Sequence, residues 1–548
     1  MARLDRLISA KGIAQLAAVI GRQFAYELLH AVSQLDALTL QRELGRLVEA
    51  ELVYQRGLPP QATYTFKHAL IQDAAYGSLL KSTRQQYHQR IAQVLESQFP
   101  EITEAQPELL AHHYTEAALA EKAVHYWYHA GQSAIQRSVH VEAITHLRQG
   151  LALLATLPKT PERIRREVDM LIALGASLIA TQGWAAPEVR ETYTSAQQLC
   201  AHLDDPHQLF HVLWGLWAYA LVRAELQTAH ALGKQLLTLA QHVQDAAMLP
   251  AAHRALGATL FVLGAPASAY THLVQGIALY DPQQHRVHAF LYGEDTGVVC
   301  RSHAAWTLWC LGYPDQGLVR SHEAVTLAQQ RAHPFSLGYA LSFAAFFHQF
   351  RREVRATQER AEATIVLATE QGFPVWMAWG SLLDGWALVQ QGQAQEGIEQ
   401  IHQGIMAWRA TGAESGRSSF MALLAEARGI LGEPEAGLAV LAEALTQVDT
   451  TGERGYESEL YRLKGELLLQ QSSDNQADAE TCFQQAISIA RSQQAKSLEL
   501  RAATSLARLW QQQGKRQEAH DLLAPVYYWF TEGFSTADLQ DAKALLDA

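Results

Sequence analysis

Cysteine is scarce in this chain: there are four in 548 residues, at Cys200, Cys300, Cys310 and Cys482. They are too few and too scattered for a disulfide framework, and they fit a reducing cytoplasm, which is the expected location. Long apolar runs are missing as well. The most apolar stretch, "HVLWGLWAYALV" (211–222), falls short of the roughly 18 residues of a membrane span and reads as a buried helix. The opening "MARLDRLISAKG" carries charges with no apolar run behind them, so it is not a signal peptide. Charge is modest, with 18% charged residues and a net of −12. That balance excludes a global nucleic-acid footprint.

Motifs that carry chemistry are also lacking. No G-x-x-x-x-G-K-[ST] phosphate loop occurs, and neither Gly233-Lys234 nor Gly514-Lys515 is followed by Ser or Thr. His112-His113 with Glu116 lacks the H-E-x-x-H order of a zinc hydrolase. Cys300, His303 and Cys310 lack a fourth ligand and any C-x-x-C. G-x-S-x-G is absent, and no other nucleophile order has supporting context. The expectation is a chain that is not an enzyme, with no cofactor and no metal.

What is present is a repeat. Residues 378–407 hold two helix-period runs that meet at "QQGQAQEG". The same hairpin returns 40 residues later at Leu424, Gly432, Gly437, Leu441 and Ala444. One small residue early in each second helix can be followed through Ala229, Ala269, Gly317, Ala356, Gly397, Gly437, Ala479 and Ala519. Its successive spacings are 40, 48, 39, 41, 40, 42 and 40. A small side chain is needed there because the helices approach closely. Gly264, Gly312, Gly392, Gly432 and Gly514 stand just before it and can supply a helix stop with positive φ. The fold class expected is all-α: a tetratricopeptide-like α-solenoid superhelix over residues 161–540. Its first helices lie at 105–160, and its period is longer than the usual tetratricopeptide one.

Residues 1–100 differ. They carry a net charge of +3, against −15 for the remainder. Apolar spacing predicts helices up to Ile20, over 25–32, and over a third run capped by Ser33 or Asp36. That third helix is expected to turn Leu38, Leu40, Leu44, Leu47 and Val48 inward. A period-2 hairpin follows, Leu52–Tyr54 and Tyr64–Phe66 around Gly57-Leu58-Pro59-Pro60. Three helices and a hairpin describe a small winged-helix (α+β) domain. Its candidate recognition helix has Arg42 and Arg46 but also Glu43, Glu49 and Glu51. That helix lacks the basic excess which phosphate neutralisation needs. A DNA-binding regulator is therefore the alternative reading, and nucleic acid is disfavoured as a partner.

The stretch "YTFKHALIQDAAYGSLLKSTRQQYHQRIAQVLE" (64–96) resembles the end of the winged-helix segment in bacterial STAND-type predicted ATPases. Members of that family often carry a class III adenylate or guanylate cyclase domain. The repeats resemble the sensor domain of maltose-regulator-type activators. The resemblance implies the regulatory C-terminal part of such a switch protein, with Met1 near an internal junction. A fragment known by the activity of its missing ATPase or cyclase domains is a further alternative. A non-catalytic protein-interaction and sensor module is expected. Its partner would be a protein, its own or a related ATPase or cyclase domain, or a small effector.

The 48-residue interval holds an insert, "YDPQQHRVHAFLYGEDTGVVCRSHAAW" (280–306). It gathers Asp281, His285, Arg286, His288, Tyr292, Glu294 and Asp295. An irregular charged segment in a regular array is a candidate binding site. So are the aromatic residues of the first helices, Trp306 and Trp309 among them, and the basic pair Arg351-Arg352. Each also has an ordinary reading: a longer loop, core packing and a solvated face.

Overall fold

The computed structural model describes residues 7–548. Residues 1–6, and the expected junction at Met1 with them, lie outside it. The chain divides into two compact units, 1–170 and 171–548. Among the described residues no helix is long and apolar enough to cross a membrane.

The first unit opens with helices Ile8–Ile20, Tyr26–Ser33 and Ala37–Glu49 and a small antiparallel sheet. Its strands are β1 (Gln23–Ala25), β2 (Val53–Arg56) and β3 (Thr63–Phe66), in the order β1-β3-β2. Phe24 pairs with Tyr64 and Val53 with Phe66. β3 alternates as its period requires, with Tyr64 and Phe66 buried and Thr63 and Thr65 half-exposed. Asp36 caps the third helix by accepting from the Thr39 N–H at 2.9 Å. Leu40, Leu44 and Leu47 turn inward as expected, but Leu38 is 81% exposed. It sits in the first turn, on the face opposite Leu40. The strand β1 was not legible, since three residues are too few to show a period. The core of this unit is continuous through Ile91, Leu95, Leu110, Tyr114 and Trp127.

The second unit is a TPR-like α-solenoid. Helical hairpins run from Pro206–Val222 with Leu226–Val243 to Lys496–Gln512 with Arg516–Tyr527, and Ala537–Leu546 follows. Proline stands in the first turn at Pro206, Pro266, Pro314, Pro334, Pro374 and Pro434. Its missing N–H costs nothing there and its φ is already helical. Gly264, Gly312, Gly392, Gly432 and Gly514 all have positive φ, as the turn requires.

The small-residue position is the fourth residue of each second helix. In the hairpin of Pro334–Phe350 that residue is Thr357, not Ala356. Thr357 is fully buried while Ala356 is half-exposed. The corrected spacings are 40, 48, 40, 40, 40, 42 and 40. Thr357 satisfies its hydroxyl locally, donating to the Glu353 carbonyl at 3.0 Å, so a β-branched residue serves where Gly or Ala stands elsewhere. The tightest crossing is the hairpin Pro374–Gln390 with Ala394–Ala410. A Cβ on Gly397 would lie 2.4 Å from the Gly385 carbonyl oxygen, and one on Gly404 2.9 Å from that of Ala378.

The array also closes on itself. Glu414 and Ser415 donate their N–H groups to the Val222 carbonyl at 2.9 and 3.0 Å. Arg454 and Gly455 do the same to Val262 at 3.0 and 3.1 Å. Ser497 donates to the Trp309 carbonyl across 188 positions, and Arg501 donates to that of Phe350. Each acceptor lies in the last turn of a first helix, where carbonyls lack intrahelical partners. A seam of hydrogen bonds thus joins one turn of the superhelix to the next.

Candidate functional site

The site begins with a helical stripe. Tyr339, Phe343, Phe346 and Phe350 recur at three- and four-residue spacing on Pro334–Phe350, so they share one face. Neighbouring first helices bring Trp306 and Trp379 against it. Phe343 stacks on Trp306 with centroids 4.1 Å apart and on Tyr339 at 4.3 Å. It also lies parallel to Trp379 at 5.2 Å. Phe420 meets Trp379 edge-on at 5.3 Å. These rings are buried, yet they do not fill the space between them. They wall a cavity of about 130 Å³ that Trp217, Trp376 and Trp408 also line. An apolar cavity of about 150 Å³ admits a benzene-sized molecule.

The seam supplies the rest of the wall. Val222 and Val262 face the cavity from one side, and Ser415, Gly416, Glu453, Gly455 and Tyr456 from the other. Polar groups are few. Glu453 is 5% exposed. One carboxylate oxygen accepts from the Gly416 N–H at 2.9 Å, and Oε2 has no hydrogen-bond partner in the protein. Burial pushes this carboxyl up to about 7, against the pull of the Gly416 N–H and the Ser418 hydroxyl. Arg254 lies with its guanidinium 4.5 Å from the Trp217 centroid and is ion-paired with Glu294. Burial outweighs that pairing and pushes Glu294 up to about 7. His303 also lines the wall, and burial drives it down to about 3, so it is neutral. The Trp376 and Trp379 indole N–H groups are buried without partners.

A second, polar pocket of about 380 Å³ shares Tyr456 with the first. Its lining includes Arg352, Arg462, Arg501 and Arg508 together with Glu426, Glu459, Asp538 and Asp541. The charges balance. Arg501 bonds Asp538 at 2.8 Å and Glu459 at 3.3 Å, and Arg462 bonds Glu459 at 2.7 Å.

Of the residues singled out from the sequence, Trp306 lies on the cavity wall. Trp309 is not on it. That ring stacks on Phe350 at 4.5 Å and lies under Arg501 at 4.9 Å. Arg351 is buried, bonding Glu353 at 2.8 Å and the Pro314 carbonyl at 2.8 Å. Arg352 lines the polar pocket and pairs with Asp541 at 2.7 Å.

Five of the seven insert residues, His285, His288, Tyr292, Glu294 and Asp295, are folded inward. Asp281 accepts from the N–H groups of Gln283 and Gln284, forming the turn before the short helices Gln284–Val287 and His288–Tyr292. His285 is buried against Tyr280, and His288 contacts Thr296 at 3.0 Å. Tyr292 packs on Trp214 with centroids 4.6 Å apart. Arg286 is exposed. Asp295 caps Thr296–Leu311 through the Val298 N–H, accepts from the Tyr280 hydroxyl at 2.7 Å, and meets Arg331 at 3.4 Å. Glu294 touches the site indirectly, through Arg254. Among the described residues no group of three or more His, Cys, Asp or Glu could hold a metal ion.

Sequence reasoning missed Glu453, Arg254 and the seam. One signal was available. The connectors Thr411–Gly416 and Thr451–Tyr456 both open with Thr-Gly and carry a second glycine. The connections at 332–333, 372–373 and 494–495 are only two residues long. Those two longer connectors supply the backbone N–H donors of the seam, and Ser497 and Arg501 supply its side-chain donors.

No family model matches the chain. An uncharacterized protein of Rhizobium meliloti is 24% identical over 512 residues, covering 92% of this chain and 49% of that protein. The chain thus spans about half the length of the curated relative it matches. Solved structures with similarity include a Rap protein complexed with Competence and Sporulation Factor, at 12% identity and TM-score 0.46, over 74% of this chain and 99% of that one. The apo quorum sensor NprR from B. thuringiensis matches at 12% identity and TM-score 0.42, over 67% and 99%. A STAND protein with a tetratricopeptide repeat sensor from Pyrococcus horikoshii matches at 12% identity and TM-score 0.32, over 98% and 65%.

Proposed function

We propose that residues 171–548 form a non-catalytic sensor and interaction module whose ligand enters the aromatic cavity. The observation that carries this reading is the composition of the cavity wall. First helices supply most of it and the seam connectors contribute Ser415, Gly416, Glu453 and Gly455. A molecule in the cavity therefore touches both sides of the closure between superhelical turns. It binds the closed form better than an opened one, and that difference in affinity is what shifts the curvature of the array. The segment up to residue 100 is then a winged-helix-like domain, and the whole serves as the regulatory part of a STAND-type ATPase or nucleotide-cyclase signalling protein. The change in curvature would be read by a protein partner, either that ATPase or cyclase domain or one on another chain.

The test is a titration with benzyl alcohol, a neutral probe of the cavity's size. It quenches tryptophan fluorescence saturably and raises Tm in the unaltered chain. Ala218→Leu grows a side chain into the cavity wall and loses both effects. The reading is overturned if the unaltered chain shows no saturable change, or if Ala218→Leu responds like it.

A further inference from the structure

The cavity has an acidic end that its apolar walls do not explain. Glu453 is buried, lines the cavity, and leaves Oε2 without a hydrogen-bond partner in the protein. A buried polar atom left unpaired is costly, and a carboxyl more so once it ionises. The groups that pull on this carboxyl are neutral: the Gly416 N–H, on the other oxygen at 2.9 Å, and the Ser418 hydroxyl. Among the described residues the only guanidinium on the cavity wall belongs to Arg254, which is already ion-paired with Glu294 and held over Trp217.

The remaining wall is aromatic. Ring faces attract cations through their quadrupole, by up to about 2 kcal/mol when water is excluded. An unpaired carboxyl among stacked indole and phenyl rings is the chemistry that recognises an organic ammonium. We infer that the cavity takes a small organic cation, an ammonium group on an apolar body, with Glu453 as its anionic anchor and the aromatic rings as its cage. This rests on the reading of the cavity as a ligand site and names the ligand's class. The ammonium donates a hydrogen bond to Oε2, and the apolar body lies in the cavity against the packed rings of Trp306, Phe343 and Trp379. Burial raises the Glu453 carboxyl to about 7, so without a cation beside it the group is about half protonated near neutral pH. Arrival of the cation stabilises the carboxylate, so the proton leaves as the ligand binds.

Benzylamine and benzyl alcohol differ little in size and shape, and the first is a cation. Isothermal titration of the full chain with each, at about pH 8 where the amine remains protonated and the carboxyl ionises, separates charge from fit. Benzylamine is expected to bind at least about tenfold tighter, a difference of roughly 1.4 kcal/mol. Glu453→Gln keeps an acceptor for the Gly416 N–H and removes the charge, and it brings the ratio to about one. Equal binding of the two probes to the unaltered chain overturns the inference and leaves the cavity reading standing. So does a preference that survives in Glu453→Gln. If neither probe binds, both fall. The comparison on the unaltered chain does not depend on any variant folding.

Discussion

Arg223 donates through Nη1 to the Gly412 carbonyl at 2.7 Å, across 189 positions of sequence. The bond stands beside the N–H groups of Glu414 and Ser415 on the Val222 carbonyl. Together they cap the end of one first helix with a connector from the next superhelical turn. Arg223→Ala should cost about 1–2 kcal/mol and speed amide exchange at Glu414 and Ser415 above that of the connector at 372–373. Urea unfolding and hydrogen exchange by mass spectrometry check this. Unchanged exchange at those two amides would show that the seam does not depend on this bond.

Close packing within a hairpin predicts a graded response to added methyl groups. Gly397→Ala places a Cβ against the Gly385 carbonyl oxygen and should lose about 2–3 kcal/mol or more. Gly392→Ala meets nothing within 4 Å but must hold its positive φ of 90°, at a cost of about 1 kcal/mol. Chemical denaturation ranks the two, and the reverse order would contradict the packing assigned to this hairpin.

The ion network at the polar pocket should be fragile to truncation. Arg501 is the buried partner of both Glu459 and Asp538 and also bonds the Phe350 carbonyl. Arg501→Ala leaves the buried Glu459 and the half-buried Asp538 each short of a partner and should cost about 3 kcal/mol. Burial pushes Glu459 up, but Arg462 and Arg501 outweigh it and hold the carboxyl at about 2. That contribution to stability is present above the ordinary carboxylate range and is lost as pH falls toward about 2. Arg501→Ala should therefore flatten the acid limb of the stability profile.

Glu453 predicts the opposite slope. Its carboxyl is raised to about 7 in the folded chain, so the folded state holds a proton that the unfolded state has released. Stability falls as pH rises from about 4.5 through about 7, by an amount on the order of 3 kcal/mol. Glu453→Gln removes this fall and is more stable than the unaltered chain at about pH 8. A parallel pair of pH profiles would mean that this carboxyl is not held neutral.

The hairpin repeat was legible because close helix crossings demand small residues at a fixed position, and the chain keeps that position with Gly or Ala almost throughout. The one slip, Ala356 for Thr357, has a physical cause. A threonine that bonds its own backbone fits the crossing, and a search for small residues alone steps to its neighbour. The aromatic stripe was legible too, with its two readings of packing and groove. The structure shows the packing, ring on ring around a cavity, and a ligand in that cavity is what we propose. Pairings across the superhelix were not legible. The charged residues of the insert look solvent-facing in one dimension, yet Asp295 is satisfied by Tyr280 and Arg331, and Glu294 meets Arg254 from an earlier hairpin. Glu453 sits between two glycines in a connector, and nothing local marks it as a wall of a cavity.

A molecule that fills the aromatic cavity should hold the superhelical seam closed. Hydrogen exchange at Glu414, Ser415, Arg454 and Gly455, with and without saturating benzyl alcohol, tests it most directly. Slower exchange is expected at all four amides, with no comparable change at the two-residue connectors 332–333 and 372–373. Exchange at the four that is unchanged or faster with the cavity occupied would contradict it.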